Sequence, residues 1–218
     1  MTAPALIVIA KAPVAGRSKT RLTPPCTPAQ AAALAEAALA DTLGAVSGAD
    51  CGRRVVILDG EPGEWLPPGF EVLPQIAGGF DLRLGAAFEA VGGPALLIGM
   101  DTPQVDAGLL DRSVTELMRD GQDAVFGAAV DGGWWALGLR HADASLLRGL
   151  PMSTPWTARA QRQRLAERGV EFAELPVLRD VDTIADALAV AAECPGSRFA
   201  STLESMALPV TTIAEQGA

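Results

Sequence analysis

The sequence predicts an α/β protein built on a mainly parallel sheet covered by helices on both faces. Two observations carry this. Short apolar runs of β type alternate with helical patterns along the chain, and several runs are continuously apolar, as strands buried on both faces are. Composition agrees, with 49% of residues hydrophobic and 20% charged, enough apolar mass for a core and too little charge for disorder. At 218 residues the length suits one domain spanning 1–218.

The elements follow in order. The first strand is predicted at 5–10 and feeds a basic loop from Lys11 to Arg21. The helix at 28–46 has a cap in Thr27, a first-turn proline in Pro28 and a capping-box partner in Gln30. Strands at 54–58 and 71–73 enclose a proline-rich loop at 60–69. A helix at 82–91, an apolar strand at 95–99 and a helix at 106–119 come next, with Gly121 placed for a left-handed stop. Strands at 124–128 and 134–139 flank Asp131-Gly132-Gly133. A helix at 157–168 ends before Gly169, and a strand at 170–175 precedes the helix at 184–192, opened by Thr183 with Asp186. Ligands of parallel sheets sit at the carboxyl ends of the strands, so function is sought in the loops that follow them.

Charge and cysteine usage exclude several classes. A formal net charge of -9 suits nucleic acid poorly. Cys26, Cys51 and Cys194 match neither a zinc pattern nor a disulfide framework, which points to the cytoplasm, with Cys26 a weak candidate for a reactive thiol. The N-terminal apolar run is too short to span a bilayer and lacks a basic segment before it, so no membrane association is expected. With His141 the lone histidine, no tyrosine, no G-x-S-x-G and no H-E-x-x-H, hydrolase triads and zinc catalysis are hard to assemble.

The basic loop is the strongest local signal. The first 35 residues hold no acidic side chain but carry Lys11, Arg17, Lys19 and Arg21, a charge of +4 that leaves -13 for the remainder. Lys11 and Lys19 are the only lysines, against fifteen arginines. A compact ammonium acts on phosphate as a point charge, which a planar guanidinium does not reproduce. Gly16 lets the turn bring backbone N–H groups near an anion. Ser18 stands where a Walker loop needs glycine, and no G-x-G-x-x-G follows the strand, so both better-known phosphate loops are excluded.

Acidic residues at later strand ends face the same crevice. Asp101, in Gly99-Met100-Asp101-Thr102-Pro103, suits a divalent cation such as Mg2+ or Mn2+, or else opens the next turn. Asp180 and Asp182 alternate, so in an extended segment they share a face; either is also a candidate helix cap. Asp131 lies in a sequence that favours a hairpin turn and is also placed to orient an acceptor hydroxyl. Of Trp134 and Trp135, one is placed to stack on a sugar or base and the other to enter the core.

These motifs together resemble an uncharacterised bacterial branch of the glycosyltransferase-A (nucleotide-diphospho-sugar transferase) superfamily. The resemblance runs through residues 9–22, Gly99-Met100-Asp101-Thr102-Pro103, Asp131-Gly132-Gly133-Trp134-Trp135, Met152-Ser153-Thr154-Pro155 and Asp180-Val181-Asp182-Thr183, in that order, up to about residue 192. The branch is labelled glycosyltransferase and linked to arsenosugar clusters; its wider kin include molybdenum-cofactor and phospholactate guanylyltransferases. The resemblance implies a three-layer α/β/α fold that binds a nucleotide with a divalent cation. It implies Lys11, Gly16, Arg17, Lys19 and Arg21 at the phosphates, Asp101 and Asp182 at the metal, and Gln75, Gly78 and Gly79 at the base or ribose. Ala15 stands where the family has proline, Trp134 and Trp135 where it has tyrosines, and residues 79–83 depart from its usual run.

The combined expectation is a metal-dependent transferase using an NTP or a nucleotide-sugar donor and a small-molecule acceptor. Nucleotidyl transfer, with Lys19, Arg21, Asp101 and Asp131 in catalytic roles, is favoured over glycosyl transfer and over a non-catalytic nucleotide-binding module.

Overall fold

In the computed structural model, which describes residues 3–206 and 208, the N-terminal apolar run forms β1 (Ala5–Lys11) at the centre of the sheet. Residues 1, 2, 207 and 209–218 of the expected 1–218 domain lie outside the described residues. β1 pairs in parallel with β2 (Arg53–Asp59) on one side and β4 (Ala95–Ile98) on the other. β3 (Glu71–Pro74) extends the β2 edge, also in parallel. Beyond β4 lies β6 (Trp134–Leu139), antiparallel to it, then β5 (Ala124–Ala128) and the short β7 (Phe172–Glu174).

The resulting order is β3-β2-β1-β4-β6-β5-β7, with β6 running against the other six. Its reversal follows from the chain. Only residues 129–133 separate β5 from β6, far fewer than a parallel crossover requires. Gly132 makes that hairpin feasible: its φ is +90°, and a Cβ there would collide with the Pro155 carbonyl.

Helices cover both faces, giving three layers. On one face Ile7, Ile9, Val55 and Ile57 meet Leu84 and Phe88 of α2 (Phe80–Val91), and Ala158 and Leu165 of α4 (Thr157–Glu167) complete the cluster. On the other, Leu6, Val8, Val56 and Leu58 meet α1 (Pro28–Gly48), through Leu39, Leu43 and Val46, and α3 (Ala107–Leu117), through Leu110 and Leu117. The period-2 alternation along β1 thus divides one strand between two cores.

Predicted starts are observed with their chemistry. Thr27 and Thr183 each form a full capping box, with Gln30 and with Asp186. Asp106 is the cap of α3 rather than its first residue, and α2 begins two residues early because extended Gly79 serves as its cap. The sequence did not predict α6 (Arg198–Ser205). It is held by Phe199 and Leu203, and the Asp41 carboxylate accepts from the N–H groups of Arg198 and Phe199 at 3.1 and 2.8 Å.

A third apolar cluster stands off the sheet. Leu22 and Cys26 pack with the outer side of α1, with Ile184 and Ala187 of α5 (Ile184–Glu193), with Phe199 of α6, and with Val181. It joins the end of the basic loop to the residue between Asp180 and Asp182. Leu22 is fully buried there, so Leu22→Ala should lower the unfolding free energy by about 3 kcal/mol in urea titration.

Candidate active site

The loops after β1, β4 and β7 and the β5–β6 hairpin converge at one end of the sheet, and hydrogen bonds join the last three. Val181 N–H donates to Asp101 O at 2.9 Å, and Gln104 Nε2 donates to Arg179 O at 2.6 Å. Val130 N–H donates to Leu178 O at 3.0 Å, which brings the hairpin against the segment after β7.

The basic loop is wound tightly. Buried Ser18 accepts from Val14 N–H at 3.0 Å and donates to Ala12 O at 3.3 Å. Gly16 takes φ +75°, and Lys19 itself is left-handed at φ 49°, ψ 42°, a conformation uncommon outside glycine. That twist turns the Lys19 side chain inward, where it is only 8% exposed. Its Nζ lies 2.9 Å from Asp101 Oδ1 and 3.4 Å from Asp182 Oδ1, and donates to Val181 O. Burial opposes the ammonium charge, but Asp101 and Asp182 outweigh it and hold the Lys19 pKa above its ordinary value. Arg21, 71% exposed, pairs with Asp182 Oδ2 at 2.8 Å.

Asp131, Asp180 and Asp182 form an acidic trio in which one carboxylate oxygen from each lies within 4.8 Å of the others. Thr183 supplies the α5 cap, so neither Asp180 nor Asp182 is spent on it. Asp131 accepts from Gly133 N–H at 2.7 Å, which fixes its rotamer inside the hairpin turn. Burial, with Asp131 and Asp182 close by, pushes the Asp180 carboxyl up to about 6. Three hard oxygen donors under mutual repulsion fit a divalent cation, which would relieve that repulsion. Asp101 stands beside the trio, joined to it through Lys19.

Two cavities share Arg21, Asp101 and Asp182 as a common wall. The smaller, about 240 Å³, is lined by Lys11, Arg17 and Lys19. The larger, about 560 Å³, contains all four aspartates together with Trp134, Met152 and Thr154. Trp134 is half-buried on that wall, whereas Trp135 is in the core and donates Nε1–H to Pro176 O at 2.9 Å. Trp135 is thus the one that enters the core, although it too borders the larger cavity.

Other expected residues lie apart. Gly16 is exposed, and Gln75, Gly78 and Gly79 line neither cavity. Gln75 binds the strand ends, donating to Ala10 O at 2.7 Å and Ile57 O at 3.2 Å while accepting from Arg83. Gly78, at φ +119°, makes the turn into α2. Cys26 is buried, and burial raises its thiol pKa, which disfavours the thiolate. His141 is exposed. Sequence reasoning missed the union of Asp131 with Asp180 and Asp182; their only common signal was a position after a strand.

Residues 32–154, more than half of the chain, match the family described as "uncharacterized protein conserved in bacteria (DUF2064)", and the chain belongs to that family. No curated protein matches the sequence. Among solved structures, a protein from Desulfovibrio desulfuricans G20 described as a nucleotide-diphospho-sugar transferase superposes with a TM-score of 0.84 at 20% identity, covering 94% of this chain and 95% of that one. Rv0371c from Mycobacterium tuberculosis H37Rv, in complex with manganese, gives 0.53 at 19% identity, with 87% and 97% covered. The 2-C-methyl-D-erythritol 4-phosphate cytidylyltransferase of Thermus thermophilus gives 0.53 at 20% identity, with 88% and 98% covered. The fold is that of the nucleotide-diphospho-sugar transferases. Among the described residues no helix is long and apolar enough to cross a membrane.

The Asp180 shift has a definite sign. Its folded pKa of about 6 exceeds the ordinary 3.8, so between these values the folded state binds the extra proton. Stability should therefore fall as pH rises from about 4 through 6, and Asp180→Asn should remove that slope in thermal melts. Because a cation competes with the proton, Mn2+ should raise the melting temperature more at pH 7.5 than at pH 5.

Proposed function

We propose that the chain is a divalent-cation-dependent transferase using a nucleotide-activated donor, and that its chemistry is nucleotidyl transfer from an NTP to a small hydroxylated or phosphorylated acceptor. The observation carrying this reading is the shared wall of the two cavities, where Lys19 and Arg21 meet Asp101 and Asp182. The basic cavity suits donor phosphates, and the acidic one suits the acceptor. The cytidylyltransferase and the manganese-bound protein among the structural neighbours support the reading through their shared fold.

The roles follow from chemistry at the wall. Arg21, exposed and paired among the described residues only with Asp182, is the cation a donor meets without breaking the buried pair. Lys11 and Arg17 add charge along the same cavity. The acceptor hydroxyl oxygen attacks the α-phosphorus, and a P–O bond forms. The bond from that phosphorus to the bridging oxygen breaks, and pyrophosphate leaves with the electron pair. Asp131, held by Gly133 N–H, orients the hydroxyl and takes its proton. A cation held by Asp180 and Asp182, beside Asp131, would neutralise charge on the donor phosphates. Asp101 fixes Lys19 so that its charge faces the leaving group.

Glycosyl transfer from a nucleotide-sugar is the second reading, favoured by the description of the Desulfovibrio neighbour. Products separate the two: pyrophosphate from an NTP supports the first, an NDP from a nucleotide-sugar the second. A nucleotide-binding module would release neither.

In a thermal-shift panel of NTPs and nucleotide-sugars with Mg2+ or Mn2+, at least one donor should stabilise the protein. Silence across the panel would refute the reading. Arg21→Ala should lower kcat/KM by about 100-fold while leaving the melting temperature of the free protein nearly unchanged.

A further inference from the structure

The charge of the larger cavity narrows what it can hold. It presents Asp101, Asp131, Asp180 and Asp182, against one lining cation, Arg21, already paired to Asp182. Arg83 lies over the ring of the lining residue Phe80 at 5.2 Å, but its guanidinium donates to Gln75 at 2.9 Å. The amino end of α4 borders the cavity, yet the Thr157 and Ala158 N–H groups are bonded to Thr154 O and Gly132 O at 3.1 and 2.8 Å. Proteins grip phosphate with arginine forks, lysines or open helix amides; here no lysine lines the cavity, its one lining arginine is engaged by Asp182 and serves the donor, and the first two α4 amides are bonded within the chain.

What the walls do offer is apolar surface and neutral polar groups. Ile9, Phe80, Leu84, Trp134, Met152 and Pro155 supply the surface. Thr102 Oγ1 and Trp134 Nε1 are buried without a hydrogen-bond partner among the described residues, although both residues line the cavity. Buried polar groups are normally satisfied, so these atoms await a ligand or water.

We infer that the larger cavity takes a hydroxyl-bearing acceptor with no phosphate of its own, which lays a ring or other flat apolar face against Trp134. The inference rests on the transferase reading above and adds the acceptor's chemical class. Even with a divalent ion beside them, the four carboxylates outweigh that ion and Arg21 by one negative charge, which disfavours a phosphorylated molecule, while their free oxygens accept hydrogen bonds from hydroxyls. In transfer, the acceptor oxygen bonds to the donor phosphorus, its proton passes to Asp131, and pyrophosphate departs with the electron pair.

Ligand-observed saturation-transfer NMR on the full chain, with Mg2+ and a non-hydrolysable triphosphate, tests this with phenyl β-glucoside against phenyl phosphate. The glucoside should bind about tenfold more tightly or better, with its ring protons receiving the saturation. Trp134→Leu should weaken it by about tenfold, and Trp134→Phe should restore most of the loss. Equal or tighter binding of phenyl phosphate, indifference to Trp134→Leu, or no saturation of the glucoside at millimolar concentration would each overturn the inference. The nucleotide-induced thermal shift in the same buffer separates the two levels. Its absence overturns the transferase reading and this inference together, whereas a retained shift with the phosphate probe preferred overturns the inference alone.

Discussion

A lysine ammonium held 8% exposed at the end of a parallel sheet is the constraint on which the site depends. Removing that charge from water costs several kcal/mol, and only close, well-placed acceptors offset it. Lys19 finds them on two other loops: Asp101 after β4, and Val181 O and Asp182 after β7. Burial of one side chain therefore fixes three loops that are distant in sequence. The left-handed backbone at Lys19 belongs to the same constraint, because it turns the side chain away from solvent and toward those acceptors.

The acidic side is held by apolar packing rather than by charge. Val181 is buried with Leu22, Ile184 and Phe199, so the two aspartates flanking it extend from an anchored residue. The segment brings Asp180 and Asp182 close to Asp131, and burial together with that proximity raises the pKa of Asp180. Four carboxylates face two cations at the wall, leaving an excess of two negative charges when all are ionised. That excess matches the charge of one divalent ion.

Much of this was legible in the sequence, and the parts that were not share a cause. All seven strands and five helices follow from local apolar period and capping chemistry, which neighbouring residues encode. Helix α6 escaped because two apolar anchors in eight residues give a weak period and its N–H groups are met by Asp41, far away in the chain. The basic loop was legible from lysine usage and Asp101 from its strand end. The inward turn of Lys19 was not, since it depends on Asp101 and Asp182 being within reach. Gln75 shows the opposite case: a residue expected at the base instead satisfies Ala10 O and Ile57 O, acceptors left open where strands end.

The acidic trio was the least legible feature because it depends on a reversal in the sheet. Had β6 joined β4 in parallel, the loop before it would have opened at the opposite end from Asp101. The five-residue hairpin reverses β6 and returns Asp131 to the carboxyl end of β5, beside the segment that follows β7. The same hairpin carries Trp134 to the first position of β6, on the wall of the larger cavity, and Trp135 into the core opposite. Parallel strands thus supply the basic loop and three of the four aspartates, and the hairpin into the one antiparallel strand adds Asp131 and Trp134. The acidic trio is in this sense completed by topology, at the turn where Gly132 packs against Pro155.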